Sequence, residues 1–369
     1  MKVLACNSPF NEGGMGKFFA DLVEQARATN SLERYFSSVI KPNDMFGHEI
    51  SLARWKPVFQ LPMLRHNYAQ REFLAADLFD SAVARLLTRS DIFVGFSGRT
   101  LRSFGRARQL GFDQLVLESA TSHVAHVRAQ HQLAAQSCPL EKSWLNDAQL
   151  KKTLREYQLA DTIIVTSEYS MQTFLQQGIP SPKLQRRWQS VAPRFAPRGN
   201  VVRSESQGRD AFSVVYVGRL QVSKGLPVLL QAFAQLKNPD AELVLVGGCA
   251  TDAVEEFLLR AIAADPRIKI RPGDPLPHLH RADVLAHPSW EDGLALGPME
   301  ALACGVPVIV TQDTGMREFV IEGVYGFVVP TGDANALAER LQHVYKHPLK
   351  GFAPPSFNEP VVGRPILKF

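Results

Sequence analysis

The 369-residue chain predicts an α/β protein built from two doubly wound, Rossmann-like domains. Apolar runs of strand length alternate with segments of helical periodicity along most of the chain. The length suits two domains, and a stretch rich in Pro, Arg, Ser and Gly near the middle separates the two halves. We therefore place an amino-terminal domain at 1–190, a linker at 191–211 and a carboxy-terminal domain at 212–345. Five prolines in the last 24 residues predict an irregular tail at 346–369.

The composition is that of an ordinary globular protein, with 45% apolar and 21% charged residues. No run of eighteen apolar residues occurs, and the apolar run at the amino terminus is too short for a signal peptide. The four cysteines, Cys6, Cys138, Cys249 and Cys304, lie far apart without a C-x-x-C pair or zinc-type spacing. This usage is typical of reduced thiols, so we expect a cytoplasmic protein.

The net charge of +5 is unevenly distributed along the chain. Residues 1–200 carry 25 Lys and Arg against 17 Asp and Glu, a balance of +8, and the remainder carries 16 against 19, a balance of −3. A basic first half is compatible with an anionic acceptor or with peripheral contact at the anionic inner face of a membrane. A merely solvated basic surface is the alternative. We expect no nucleic-acid partner, because the charge is modest and no nucleic-acid-binding module is recognised.

Residues 288–310, "PSWEDGLALGPMEALACGVPVIV", predict a loop, a helix and an apolar strand in succession. Ser289 is a candidate helix cap, and Pro298 suits the first positions of a helix, where its missing N–H costs nothing. Apolar residues then recur at spacings of three and four, and Gly305 ends the helix.

Two acidic positions stand out in this block. Asp292 precedes Glu300 by eight residues and Glu291 precedes it by nine, so a loop carboxylate and a helix carboxylate can contact two ends of one long ligand. Free N–H groups at a helix start form an anion site. A nucleotide-sugar, which carries both hydroxyls and phosphates, matches this arrangement. The alternative is that the acids only complement the helix dipole.

The block resembles the E-x7-E signature of the retaining family-four glycosyltransferases (glycosyl transferases group 1), which continues into "EALACGVPVI". Asp292 stands where the family has its first Glu, with Glu291 beside it, and Leu294 and Ala295 replace the usual Phe-Gly. A second motif, Gly218-Arg219-Leu220 with Lys224-Gly225, resembles the family's "GRL-x-x-x-KG". An Arg and a Lys on a short loop between strand and helix suit a diphosphate clamp.

The first half carries weaker signals. Residues 13–17, "GGMGK", fail as a phosphate-binding P-loop because Asn11 and Phe18 occupy positions that need Gly and Ser or Thr. The loop instead resembles the family's Gly-Gly loop, in which Gly14 would let the backbone approach a donor or acceptor. "LESATSH" resembles a stretch of one transferase subgroup and makes His123 a candidate contact to the donor sugar. On the helix predicted after residue 98, three arginines, Arg99, Arg102 and Arg106, are expected to form one basic face.

The resemblance implies the GT-B architecture, two Rossmann-like domains facing a central cleft, and a hexosyltransferase of the EC 2.4 class that uses a nucleotide-diphosphate sugar and a glycan or lipid-linked acceptor. Glu300 would hold the ribose, and Glu291 or Asp292 the transferred sugar. His123, Arg219 and Lys224 complete the catalytic set. The donor-binding positions would be Gly14, Gly218, Arg219, Lys224, Gly293, Leu294, Ala295, Leu296 and Glu300. No D-x-D motif occurs, so neither a metal nor another cofactor is expected.

Two other functions are compatible with the sequence. A nucleotide-sugar 2-epimerase shares the fold and would release products without an acceptor. A non-catalytic protein that binds sugar nucleotides would account for the altered acid at position 292 and for the atypical tail.

Overall fold

The computed structural model describes residues 1–65, 67–141, 143–187, 189–197 and 212–357. Most of the predicted linker (198–211) and the end of the predicted tail (358–369) lie outside these residues, so the domain bounds given above stay predictions. The chain forms two compact units. The first comprises Met1–Arg128, Lys142–Val165 and Met171–Arg187, and the second comprises Ala129–Glu141, Thr166–Ser170 and Trp188–Phe369.

The first unit contains a seven-stranded sheet in the order β3-β2-β1-β4-β5-β6-β7, in which every pair is parallel. Its strands are β1 Lys2–Pro9, β2 Leu32–Val39, β3 Gly47–Glu49, β4 Ile92–Phe96, β5 Gln114–Ser119, β6 Thr162–Val165 and β7 Leu184–Arg186. The helices of this part of the chain are α1 Gly13–Ala28, α2 Lys56–Phe59, α3 Pro62–Arg65, α4 Tyr68–Leu86, α5 Leu101–Leu110, α6 Val124–Ser137, α7 Asp147–Leu159 and α8 Glu168–Gln176. Residues 129–137 of α6 and 168–170 of α8 belong to the second unit. Short 3-10 turns lie at Ala53–Trp55 and Ser181–Lys183.

Two apolar clusters form the core of this unit, which is the arrangement that a parallel sheet covered on both faces requires. One contains Phe79, Phe93 and Phe104, and the other contains Phe19 and Tyr35. The central strands β4 and β6 are short and strongly apolar because both of their faces are buried.

The second unit contains a six-stranded parallel sheet in the order β10-β9-β8-β11-β12-β13. Its strands are β8 Ser213–Val217, β9 Glu242–Val246, β10 Ile268–Ile270, β11 Val284–His287, β12 Val308–Thr311 and β13 Gly326–Val329. Its helices are α9 Leu226–Ala234, α10 Asp252–Ala264, α11 Leu276–Leu279, α12 Leu296–Ala303 and α13 Ala334–Lys346, with 3-10 turns at Val222–Lys224 and Gly315–Phe319.

The predicted irregular tail begins where α13 ends. Residues 347–357 contain neither helix nor strand. Phe352 nevertheless packs against Tyr325, and Phe357 packs against Phe319, with ring centroids 5.2 and 5.4 Å apart. The described part of the tail is therefore held to the second unit by aromatic contacts.

A buried charge network fixes helix α5 in the first unit. Asp80 on α4 is fully buried and accepts hydrogen bonds from the backbone N–H groups of Arg102 and Ser103, both at 2.9 Å. The same carboxylate lies 2.9 Å from Nζ of the buried Lys152 on α7. One acid thus caps α5 and neutralises a buried cation, so three helices depend on it.

Replacement of Asp80 by Ala should therefore destabilise the first unit. Loss of one partner leaves Lys152 buried beside a weaker set of acceptors, at a cost of about 3–5 kcal/mol, which corresponds to a fall in Tm of roughly 10 °C. Thermal denaturation followed by circular dichroism measures this. The control is Asp21→Ala, which removes an exposed acid of α1; an equal loss of Tm in the two variants would contradict the network.

Candidate functional site

The second sheet reverses its strand order between β8 and β11. β8 pairs with β9 on one side and with β11 on the other, so the loops that follow β8 and β11 leave the sheet at neighbouring carboxyl ends. In doubly wound sheets, ligands bind in the crevice at this switch point. Both motifs singled out in the sequence, residues 218–225 and residues 288–300, begin here.

Glycine at position 225 allows the two loops to meet. Gly225 has φ +76°, a left-handed conformation, and a Cβ on it would lie 1.9 Å from the carbonyl oxygen of Pro288. Gly297 makes a second close approach, because a Cβ there would lie 2.7 Å from the carbonyl oxygen of Val217. The glycines therefore let the loop after β8 and helix α12 pack backbone against backbone.

Lys224 joins the two motifs. Its Nζ lies 2.7 Å from Oδ2 of Asp292 and donates to the carbonyl oxygen of Glu291 at 3.0 Å. Burial lowers the pKa of Lys224, but the charges of Asp292 and Glu291 outweigh this effect and raise the pKa above its usual value. Burial raises the pKa of Asp292, but Lys224 and His287 outweigh it and hold that pKa well below its usual range. Both groups are therefore charged at neutral pH.

His287, which the sequence reasoning did not select, is the second partner of Asp292. Its Nε2 lies 3.3 Å from Asp292 Oδ2, and its ring stacks on Tyr216 with the two planes 11° apart. The Tyr216 hydroxyl in turn donates to the carbonyl oxygen of Arg219 at 2.8 Å. A chain of contacts thus connects the Arg219 backbone to the Asp292 carboxylate. The signal in the sequence was the His that ends strand β11, directly before Pro288.

Helix α12 begins at Leu296, with Ala295 at the N-cap and no side-chain cap. The predicted cap at Ser289 is wrong, because the Ser289 hydroxyl donates instead to the carbonyl oxygen of Glu291 at 2.7 Å. Within the described part of the chain, the backbone N–H groups of residues 293–297 have no hydrogen-bond acceptor. Donors without acceptors next to two cationic side chains make an anion-binding edge.

Two acids of the 288–300 block, Glu291 and Glu300, are buried. Glu291 is 2% exposed and Glu300 is 7% exposed, and Glu300 belongs to a helix in which residues 297–303 are all buried, a wider buried surface than the predicted stripe. The pKa of the Arg194 guanidinium is raised, chiefly by its hydrogen bond to Asp274. The negative charge of Glu300 raises it further.

Two further titratable groups of the second unit interact with the loop 218–225. The carboxylate of Glu141 accepts from the backbone N–H of Val222 at 2.7 Å, and burial raises its pKa. His131 is buried, and burial together with the charge of Lys224 lowers its pKa to about 3. His131 is therefore neutral at pH 7. Neither residue carried a sequence signal, since each lies more than seventy residues before the loop it contacts.

The remaining predicted site residues, Gly14 and His123, lie in the first unit. Gly14 is exposed in the first turn of α1; the close approach is at Gly16, where a Cβ would lie 2.1 Å from the carbonyl oxygen of Pro9. His123 is 2% exposed, and its Nδ1 accepts from the N–H of Ala125 at 3.2 Å.

The His123 ring is held between two aromatic rings, those of Tyr157 and Phe174, at centroid distances of 4.9 and 5.1 Å. Burial and the neighbouring His126 lower its pKa to about 4. The ring is thus neutral at pH 7. Because Nδ1 accepts a hydrogen bond, Nε2 carries the proton and is the donor.

The predicted basic face of Arg99, Arg102 and Arg106 does not form. Helix α5 begins at Leu101 with Thr100 as its N-cap, so Arg99 precedes the helix and lines a cavity of the first unit instead. Arg102 donates to the carboxylate of Asp77 at 2.9 Å. The spacing of the three arginines is that of one helix face. Because α5 begins only at Leu101, Arg99 lies outside the helix and does not share that face.

The described residues contain no cluster of three His, Cys, Asp or Glu side chains positioned to hold a metal ion. None of the described helices combines the length and the apolarity needed to cross a bilayer.

Comparison with known proteins finds similarity chiefly in the second unit. Residues 211–347 match the family model described as "Glycosyl transferases group 1". The capsular polysaccharide biosynthesis glycosyltransferase CapM of Staphylococcus aureus is 30% identical over 138 residues. That match covers 36% of this chain and 36% of CapM, so the chain spans little more than a third of the length of this relative.

Solved structures resemble the chain over both units. Sucrose-phosphate synthase of Thermosynechococcus elongatus has a TM-score of 0.71 at 21% identity, covering 94% of this chain and 90% of that one. Anabaena HepE in complex with UDP-glucose has a TM-score of 0.62 at 19% identity, with the same coverage. The GT-B fold, two parallel-sheet α/β domains, is thereby confirmed.

Replacement of Asp292 by Asn should destabilise the second unit by about 3 kcal/mol at pH 7, because Lys224 loses its counter-charge. The lowered pKa of Asp292 means that its contribution is present above the unfolded value of about 4 and is lost as the pH falls. The raised pKa of Lys224 means that its contribution is present below about 10.4 and is lost above that.

The difference in unfolding free energy between wild type and Asp292→Asn should thus be constant between about pH 5 and 10 and shrink below about pH 4. Urea denaturation at several pH values measures it, with the exposed Asp240→Asn as the matched control. A difference that persists unchanged at pH 3 would contradict the ion pair.

Proposed function

We propose that the chain is a glycosyltransferase, because residues 211–347 match the family model described as "Glycosyl transferases group 1". It moves a sugar from a nucleotide-diphosphate-sugar donor to a glycan or lipid-linked acceptor. The observation that carries the proposal is the edge of the second sheet. There, Arg219, Lys224 and the N–H groups of residues 293–297 follow two adjacent parallel strands.

The phosphates of the donor occupy this edge. Lys224 is already oriented by Asp292 and Glu291, and the exposed Arg219 supplies a second cation. Charge develops on the leaving diphosphate as the glycosidic bond breaks, and preorganised donors stabilise it at that moment. The two cations take the part that a metal ion plays in other phosphate sites, so we propose a metal-independent reaction.

Glu300 holds the ribose hydroxyls, and Glu291 or Asp292 holds the transferred sugar. Buried carboxylates suit hydroxyl donors because they accept charge-assisted hydrogen bonds. We propose retention of configuration through front-face attack, in which the acceptor hydroxyl passes its proton to the departing phosphate. His123 contributes a neutral Nε2–H donor to a sugar hydroxyl.

Loss of either cation should slow the reaction. Arg219→Ala and Lys224→Ala should each lower kcat about 10²–10³-fold, the effect of removing one preorganised donor from developing charge. Release of the nucleoside diphosphate from UDP-, GDP- and ADP-sugars measures turnover with and without acceptor. EDTA should leave the wild-type rate unchanged, and NMR of the product should show the anomeric configuration of the donor.

Arg260→Ala, which removes a cation from the exposed face of α10, is the control and should be fully active. Arg219→Ala is the cleaner test, because Lys224→Ala also leaves Asp292 without its partner. Near-wild-type turnover in both variants would overturn the clamp. Turnover without an acceptor that yields a sugar epimerised at C2 would favour the 2-epimerase, and tight nucleotide binding without turnover would favour the non-catalytic function.

We further propose that the first unit binds peripherally to the anionic inner face of a membrane. Residues 51–65 fold into short turns without a single buried side chain, and Leu61 and Met63 are 53% and 87% exposed. Between Glu49 and Glu72 the chain carries four Lys or Arg and no acid. Exposed apolar groups flanked by cations suit the interface of an anionic bilayer.

Binding to vesicles of phosphatidylcholine with phosphatidylglycerol should therefore exceed binding to phosphatidylcholine alone. The double variant Lys56→Glu/Arg65→Glu should weaken it more than tenfold, since each cation near the surface contributes about 1 kcal/mol. Co-sedimentation measures binding, and Lys151→Glu on the exposed face of α7 is the control. Equal binding to both vesicle types, or none, would refute the contact.

A further inference from the structure

A cavity of about 110 Å³ lies in the first unit at the switch point of its sheet. The strand order reverses between β1 and β4, and the cavity is lined by residues at the carboxyl ends of β1, β4 and β5. Those are Asn7, residues 96–99, Glu118, Ala120 and Thr121. Its volume equals roughly four water molecules, which is room for the hydroxyl-bearing edge of a sugar ring. The position is the one at which doubly wound sheets bind ligands.

Two buried acceptor oxygens at this cavity lack hydrogen-bond donors among the described residues. They are Oδ1 of Asn7 and Oε1 of Glu118, and both residues line the cavity. Glu118 is 1% exposed. Arg187 comes within 2.7 Å of the same carboxylate oxygen, but no N–H of the guanidinium is aligned for a hydrogen bond. A buried acceptor without a donor costs about 1–3 kcal/mol, so both oxygens favour a ligand that brings donors.

The charges of the cavity argue against an anionic ligand. Its charged lining consists of Arg99, Glu72 and Glu118, one cation against two carboxylates. Arg99 forms no ion pair among the described residues and interacts with the thiol of Cys6. The lining also includes apolar groups, among them Val124, Val127 and Trp144. A neutral sugar, which carries both hydroxyls and C–H groups, matches a lining of both kinds.

We propose that Glu118 is a specificity-determining residue that, together with Asn7, binds two neighbouring hydroxyl groups of a neutral sugar unit in the acceptor. Arg187 is a positioning residue, because its charge holds the Glu118 carboxylate in place from outside the cavity. The assignment of this sugar to the acceptor rests on the proposed transfer reaction. Sugar binding in the cavity does not rest on that reaction, so an experiment can refute either claim without the other.

The ionisation of Glu118 gives the site a pH dependence. Burial raises the pKa of this carboxyl to about 7, and the charge of Arg187 limits the rise. The ionised form accepts stronger hydrogen bonds from hydroxyls than the neutral form. Arg187, the residue that follows β7, faces this carboxylate, and Glu72 and Arg99 complete the charged lining. Affinity for the sugar should therefore increase as the pH rises from 6 to 8.

Saturation-transfer NMR with D-glucose, D-galactose, D-mannose and myo-inositol tests binding directly, without turnover. We expect saturable binding of at least one neutral sugar. The affinity should be weakened about tenfold or more in Glu118→Gln and in Asn7→Ala, a loss of about 1.4 kcal/mol. Glucose 6-phosphate and glucuronate should bind more weakly than glucose. Wild-type affinity should rise between pH 6 and 8, and the affinity of Glu118→Gln should stay constant.

In the transfer assay Glu118→Gln should raise the KM for the acceptor. Glu24→Gln, on the exposed face of α1, is the control, and thermal denaturation verifies that each variant folds. A cavity that holds only water would give no saturable signal with any of the four sugars, and this would overturn the proposal. Tighter binding of the phosphate or the uronate would also overturn it. Sugar binding without any transfer activity would leave the cavity assigned and refute the proposed reaction.

Discussion

The ion pair of Lys224 and Asp292 is the contact on which the rest of the second unit's site depends. It joins two loops that are 68 residues apart in sequence and adjacent at the edge of the sheet. Gly225 makes the approach sterically feasible, because any side chain there would collide with the Pro288 backbone. The same pair orients Lys224 before any ligand arrives. The entropy lost when this long side chain is ordered is therefore lost during folding, and it does not weaken ligand binding.

Much of the fold could be predicted because its signals are local. The alternation of short apolar strands with helices set the two parallel sheets, and the helix predicted near 252–264 is α10. The motif that contains Arg219 and Lys224 was found because its residues are close together in the chain. The ends of helices could not be predicted as well as their presence. Helix α5 begins at Leu101, so Arg99 does not lie on the helix face where it was expected.

The rest of the site could not be predicted, because it consists of contacts between distant segments. Glu141 and His131 reach the Lys224 loop from about eighty and ninety residues earlier in the chain. Glu118 reads in the sequence as part of a motif around His123, and its unsatisfied oxygen becomes visible only once Asn7 and Arg187 are placed beside it. Hydrogen-bond satisfaction is a property of the packed state, so no periodicity or spacing rule contains it.

The aspartate at position 292 has a physical consequence of its own. Its side chain is one methylene shorter than the Glu that the family-four glycosyltransferases have at the first position of their signature. Its Oδ2 already contacts both Lys224 and His287. Any phosphate that binds Lys224 must share the cation with this carboxylate, and two anions about 4 Å apart repel by about 4 kcal/mol at an effective dielectric constant of 20. A second cation is therefore required at this edge, and the exposed Arg219 on the same loop is the residue placed to supply it.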